Sequence, residues 1–206
     1  MSPSAPHPAE ADWAWVSRPM AVGLGGFWTF ALNRTPAQVI ESFGMDPAAA
    51  RMMTLEEGMA AYDTRRDEDG RPIPWIRVGT HGGWAFALED MTAVGQHAVG
   101  RLSAGTQAAY VSWTPNGDHE VALYEDGRCV VAFEPWMRWS LSGSDPARFE
   151  PQMQETGVMP CPEDAGRVHH PSRMVLMLGF LTRVAGLRIP ERVARGPLLT
   201  CAATTP

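Results

Sequence analysis

The sequence predicts an α+β domain: one antiparallel sheet of about six strands, three of them a meander, with helices packed on it and two similar strand-then-helix units. Three observations carry that expectation. Two stretches read almost alike, Gly25-Gly26-Phe27-Trp28-Thr29-Phe30-Ala31-Leu32 and Gly82-Gly83-Trp84-Ala85-Phe86-Ala87-Leu88, each a glycine pair and then an alternating strand with Trp, Phe and Leu on one face. Residues 108–114, 118–124 and 128–134 follow as short strands joined by Pro115-Asn116-Gly117 and Glu125-Asp126-Gly127. The predicted order, β-α-α-β-β-α-β-β-β-α-α, sets strands beside strands across short loops, which favours antiparallel pairing over a doubly wound sheet.

Residues 1–11 read as a disordered leader, rich in proline and serine ahead of Trp13 and Trp15. After the first strand, Thr35-Pro36-Ala37-Gln38 predicts a helix start: Thr as N-cap, Pro in the first helical position and Gln three residues past the cap. Gly44 should end that helix. Asp46-Pro47 starts another short one, and Thr54-Leu55-Glu56-Glu57 is a second capping box. A charged, turn-rich loop over 65–74 returns the chain to a strand at 75–79, and 80–83 turn it into the Trp84 strand of the matching pair. A helix is expected at about 94–103, stopped by Gly105.

Parity sets the loop lengths of the meander. Val111 and Trp113, Val121 and Leu123, and Val131 and Phe133 must all face the core, and a two-residue turn would push one row into solvent. Three-residue loops, each ending in a left-handed glycine at Gly117 and Gly127, put Val111 opposite Val121 and Val121 opposite Val131. Downstream, Asp145-Pro146 starts a short helical turn and Pro151 restarts it. Residues 172–185 read as a helix apolar nearly all round, hence buried, with Gly186-Leu187 as its C-terminal cap. Residues 12–189 thus form a single domain, and 190–206 a loosely ordered tail.

Composition bounds the function. All basic residues are Arg, the composition expected from codon bias in a GC-rich bacterial genome. Without Lys, Schiff-base catalysis by a side-chain amine is excluded, and so is a P-loop. A formal net charge of −6 argues against nucleic acid as partner. Over residues 54–70 six acids outnumber Arg65 and Arg66, while over 171–206 five arginines face only Glu191. These segments read as two solvated surfaces, or as a basic arm that docks on the acidic stretch or on an acidic partner. The longest apolar run, 174–182, is too short to cross a bilayer, and the N-terminus does not read as a signal peptide. Three cysteines, Cys129, Cys161 and Cys201, have neither a disulfide framework nor metal spacing. A reduced, cytoplasmic protein with no membrane partner is expected.

Gly23-Leu24-Gly25-Gly26 is not a dinucleotide loop, because its glycines precede a strand and Trp28 takes the third glycine's place. His169-His170 with Glu163 and Asp164 lacks a metal-ligand spacing, so no metal is expected. Cys161 between two prolines has no context that would lower its pKa. His119 lies opposite Trp113 and Phe133 in the expected register, either satisfied at the core's edge or placed at the mouth of an aromatic pocket. The sheet's other face carries Ala85, Ala87, Tyr110, Ser112, Ala122, Tyr124, Val130 and Ala132. A helix such as 172–185 is expected to pack on these alanines; if none covers them, the face is a ligand or partner surface. Trp136-Met137-Arg138-Trp139 reads as a lid over the core or as an interaction hot spot.

Trp13-Ala14-Trp15, the Gly82-Gly83-Trp84-Ala85-Phe86-Ala87-Leu88-Glu89-Asp90 strand, Arg101-Leu102-Ser103-Ala104-Gly105-Thr106 and Val111-Ser112-Trp113 carry a resemblance. Over roughly residues 12–187 the chain is similar to a family of small, tryptophan-rich proteins from high-GC bacteria known only as a domain of unknown function. The resemblance implies no activity, cofactor or catalytic residue.

The expected function is a non-catalytic module that binds a protein or peptide, in the manner of an immunity or regulatory protein, with no cofactor. The alternative is a small-molecule binder or enzyme using an aromatic pocket around Trp113 and His119. Candidate binding residues are Trp113, His119, Trp136, Arg138, Trp139, Tyr110 and Tyr124.

Overall fold

A computed structural model describes residues 8–17, 26–89, 93–114, 116–159 and 172–203. Within them the strands are Gly26–Leu32 (β1), Arg51–Met53 (β2), Trp75–His81 (β3), Trp84–Glu89 (β4), Gln107–Trp113 (β5), His119–Glu125 (β6), Arg128–Glu134 (β7), Met137–Ser142 (β8) and Leu198–Ala202 (β9). They form one sheet in the order β2-β9-β3-β4-β1-β5-β6-β7-β8, antiparallel throughout. The helices are Pro8–Trp13 (α1), Pro36–Ser42 (α2), Leu55–Tyr62 (α3), Gly95–Leu102 (α4), Glu150–Glu155 (α5), Arg173–Ala185 (α6) and Glu191–Arg195 (α7). None of these helices is long and apolar enough to cross a membrane.

The class is α+β as expected, but nine strands stand where about six were predicted. The three extra strands give weak sequence signals. β2 is only three residues long, β8 lacks clean alternation, and β9 is a short apolar run that periodicity cannot assign. The loose tail predicted past Pro190 instead holds α7 and β9, and β9 pairs with β2 on one side and β3 on the other. The backbone pairing joins β9 to residues 51–53 and 75–78, on either side of the acidic segment in sequence. At the other terminus, α1 takes in residues 8–11 of the expected leader; residues 1–7 lie outside the described residues.

The two matching strands are not two separate strand-then-helix units. β1 and β4 are neighbours, with Trp28 opposite Leu88 and Leu32 opposite Trp84, so their similar patterns supply adjacent parts of one row. That row, continued by Val111, Val121, Leu123, Val131 and Phe133, is buried beneath α6. Helix α6 is buried from Met174 to Thr182, which is why its apolar surface runs nearly all round. Phe180 meets Phe133 edge-on at 5.1 Å and Phe149 at 6.2 Å. Thr182 Oγ1 accepts a hydrogen bond from the Trp13 indole at 2.7 Å, tying α1 to α6.

The alanine face is covered by α2 and α4, and the helix expected there, 172–185, lies on the opposite side. Val39, Ile40, Ala98, Val99 and Leu102 pack on Ala31, Ala85, Ala87 and Ala108. Small strand residues admit two short helices, while the all-apolar α6 needs the bulky row. Both predicted capping boxes form: the Thr35 and Thr54 side chains accept from the Gln38 and Glu57 amides, and the Gln38 and Glu57 side chains return to the cap amides.

The first meander loop follows the parity expectation, with Val111 opposite Val121 and Gly117 left-handed at φ +92°. The second does not. Glu125 pairs directly with Arg128, so Asp126 and Gly127 make a two-residue turn with both φ values positive, +47° and +78°. The register then shifts, pairing Tyr124 with Cys129 and Leu123 with Val131, which leaves Val130 as a bulge. That extra residue restores the core row, and Val121 opposes Phe133, not Val131.

Candidate functional site

The β8 end of the sheet gathers three of the seven candidate residues, Trp136, Arg138 and Trp139. Glu134 pairs with Met137, so Pro135 and Trp136 form the turn between β7 and β8. Trp136 adopts φ +68°, an unusual value for a bulky residue. It is held there by its own contacts. Its amide donates to Val158 O at 2.8 Å, its indole donates to Gly157 O at 3.1 Å, and the Arg173 guanidinium sits 4.8 Å above its ring. Trp136 is therefore the core lid of the two readings.

Arg138 and Trp139 of that tetrad face outward, while Met137 is half-buried. Arg138 makes an exposed ion pair with Glu150 at 3.3 Å, and Trp139 is 82% exposed. Because β8 is the terminal strand, its outer backbone meets no further strand among the described residues. The Ser140 hydroxyl accepts from the Glu134 amide at 2.8 Å and donates to Met137 O at 2.7 Å, interrupting the regular ladder.

Beyond the cover of α4, an open groove of about 290 Å³ is lined by Ser112, Asp118, His119, Glu120, Ala132, Phe133, Glu134, Ser140 and Ser142. Burial raises Glu120 above the ordinary carboxylate range. It raises the Tyr110 phenol too, with the Glu89 and Glu120 carboxylates adding to the effect. The Cys129 thiol is likewise pushed up by burial, so it is poorly disposed to act as a nucleophile. His119 Nδ1 lies 2.7 Å from Gly117 O. Among the described residues the groove holds no nucleophile hydrogen-bonded to a base.

The remaining candidates separate. Trp113 lies opposite His119 across β5 and β6, but its ring packs edge-on against Trp28 at 5.6 Å and closes over Gly26, where any Cβ would run into it. Trp113 does not line the groove that His119 borders. Tyr110 is buried and stacks on Phe27 at 6.5 Å, while half-buried Tyr124 packs beside Gly100 of α4. Cys161, Glu163, Asp164, His169 and His170 lie outside the described residues, among which no metal-binding cluster of His, Cys, Asp and Glu occurs. The groove residues Glu120, Ser140 and Ser142 were not singled out in the sequence, and Ser112 only as part of the alanine face. Glu120 offered one signal: a carboxylate on a face otherwise made of alanine and tyrosine.

The chain belongs to a family described as "Family of unknown function (DUF6461)", which matches residues 7–205. No curated protein matches it, and no solved structure matches it.

Proposed function

We propose that this family member is a non-catalytic module that binds a protein or peptide at the β8 end of its sheet, as an immunity or regulatory protein would. One observation carries the reading: Trp139, 82% exposed on the terminal strand. A rigid aromatic ring in water, beside a strand edge that pairs with no further strand among the described residues, is the kind of anchor that binding surfaces concentrate, and Arg138 precedes it on the strand. The net charge of −6 disfavours nucleic acid. Cys129 and Cys201 are free thiols, which suits a reduced, cytoplasmic setting.

The test is affinity capture from native cell extract with wild-type protein, Trp139→Ala and His119→Ala. Specific partners lost with Trp139→Ala and kept with His119→Ala support the reading; a captured set unchanged by Trp139→Ala rejects it. A second reading, a small-molecule site or enzyme at His119, draws on the groove's volume and its titratable border. It is weakened by the departure of Trp113 from that groove and by the absence of an acid–base pair among the described residues. Loss of a bound metabolite on His119→Ala, seen by mass spectrometry of the native protein, would favour it.

A further inference from the structure

We propose that the partner docking beside Trp139 presents a basic side chain, an Arg or Lys, that enters the neighbouring groove and pairs with Glu120. This rests on the binding reading above and names the partner's chemistry. Three carboxylates lie at the groove, and among the described residues only Glu134 has a cationic partner. Asp118 accepts from the Thr114 hydroxyl at 3.1 Å, and Glu134 has Arg173 at 3.7 Å. Half-buried Glu120 meets only the Gln96 amide, at the long distance of 3.5 Å, and no guanidinium among the described residues.

A partly desolvated carboxylate without a cation is costly to keep, and a guanidinium or ammonium arriving from a partner would offset that cost. The surroundings suit such a guest. The groove volume of about 290 Å³ is large enough for one long side chain, and the Ser112, Ser140 and Ser142 hydroxyls can accept its hydrogen bonds. Among the described residues no arginine lines the groove, and the nearby Arg173 is paired with Glu134. Ser140 and Ser142 belong to β8, the strand that carries Trp139, so a partner lying along β8 passes both the ring and the groove's rim. Glu120 stands on β6, two strands from β8, or roughly 10 Å at ordinary strand spacing. One standard interface spans both points easily.

A phage-displayed library of random linear peptides, selected on the intact protein, tests this. The expected winners carry Arg or Lys, bind at least about tenfold more weakly to Glu120→Gln and to Trp139→Ala, and are not displaced by equimolar free arginine. Glu120→Gln should melt no lower than wild type, so a lost interaction is not lost folding. Winners without basic residues that depend on Trp139 alone would overturn this inference and leave the binding reading standing. Basic peptides that bind Glu120→Gln as tightly as wild type would overturn it as well. If no selected peptide depends on Trp139 or Glu120, both proposals fall.

Discussion

The two edges of the sheet each expose one large apolar residue, Met52 on β2 at 62% and Trp139 on β8 at 82%, yet they are built differently. β2 is three residues long and runs straight into the capping box of α3. Its Arg51 folds back to bond Ala48 O and Ala50 O, both at 2.9 Å, placing a charge on the strand. A short, charged strand is the usual protection of an edge. β8 is six residues long, with an irregular ladder to β7 and a groove along one face. The exposed side chains differ as well. Immobilising a methionine costs more rotamer entropy than immobilising a tryptophan, which has only two side-chain torsions. One edge is short and charged, and the other exposes a large aromatic ring.

The strongest way to break this comparison is at the β2 edge, by deleting residues 198–206. β9 is hydrogen-bonded on both sides, so its loss leaves β2 without a strand partner and turns β3 into a bare edge. We expect no cooperative thermal transition by circular dichroism; a wild-type melt would mean that β9 is dispensable. Next comes Arg77→Ala. Arg77 is buried in β3, and its guanidinium reaches Gly196 O at 2.7 Å and Ala194 O at 3.5 Å, clamping the end of α7 over the sheet. Burial lowers its pKa, yet its hydrogen bonds hold the arm that feeds β9. The expected loss is about 2–4 kcal/mol in urea unfolding, part of it recovered by Arg77→Met, which keeps the packing stem.

At the β8 edge the effects on stability shrink. Trp139→Ala should change unfolding free energy by less than about 0.5 kcal/mol, because the ring is in solvent. A larger loss would make Trp139 a structural residue and equalise the two edges. The smallest effect belongs to Glu120. Burial holds its folded-state pKa above the unfolded value, so protonation favours the folded state. That stabilisation is complete below the unfolded pKa, about 4.3, and is lost as the pH rises through the folded value. Glu120→Gln should therefore raise the Tm slightly at about pH 7 and leave it unchanged near pH 3. A lower Tm at neutral pH would show that the carboxylate is already compensated.

Much of the local structure was legible in the chain. Thr35 and Thr54 announced α2 and α3, because a capping box satisfies helix-end amides within four residues of sequence. The uniform apolar surface of 172–185 announced a buried helix, and Gly186 its left-handed end at φ +66°. The same pattern could not say which face of the sheet the helix would take. Parity demanded that Val131 and Phe133 point inward, but two devices satisfy parity, and the chain uses a tight turn plus a bulge at Val130. The groove was illegible because it joins β5, β6, β7 and β8 across the sheet, and no local pattern records which side chains become neighbours there.

What the sequence determined alone is short-range: where helices begin, which strand positions turn inward, and the class α+β. Those follow from caps, glycines and alternation, whose energies act within a few residues. The tertiary structure alone decided that the C-terminal strand lies inside the sheet, that α2 and α4 cover the alanines, and that Trp136 closes the core while Trp139 stays in water. Burial and strand pairing between distant segments are collective. A residue's exposure depends on what the rest of the chain leaves uncovered.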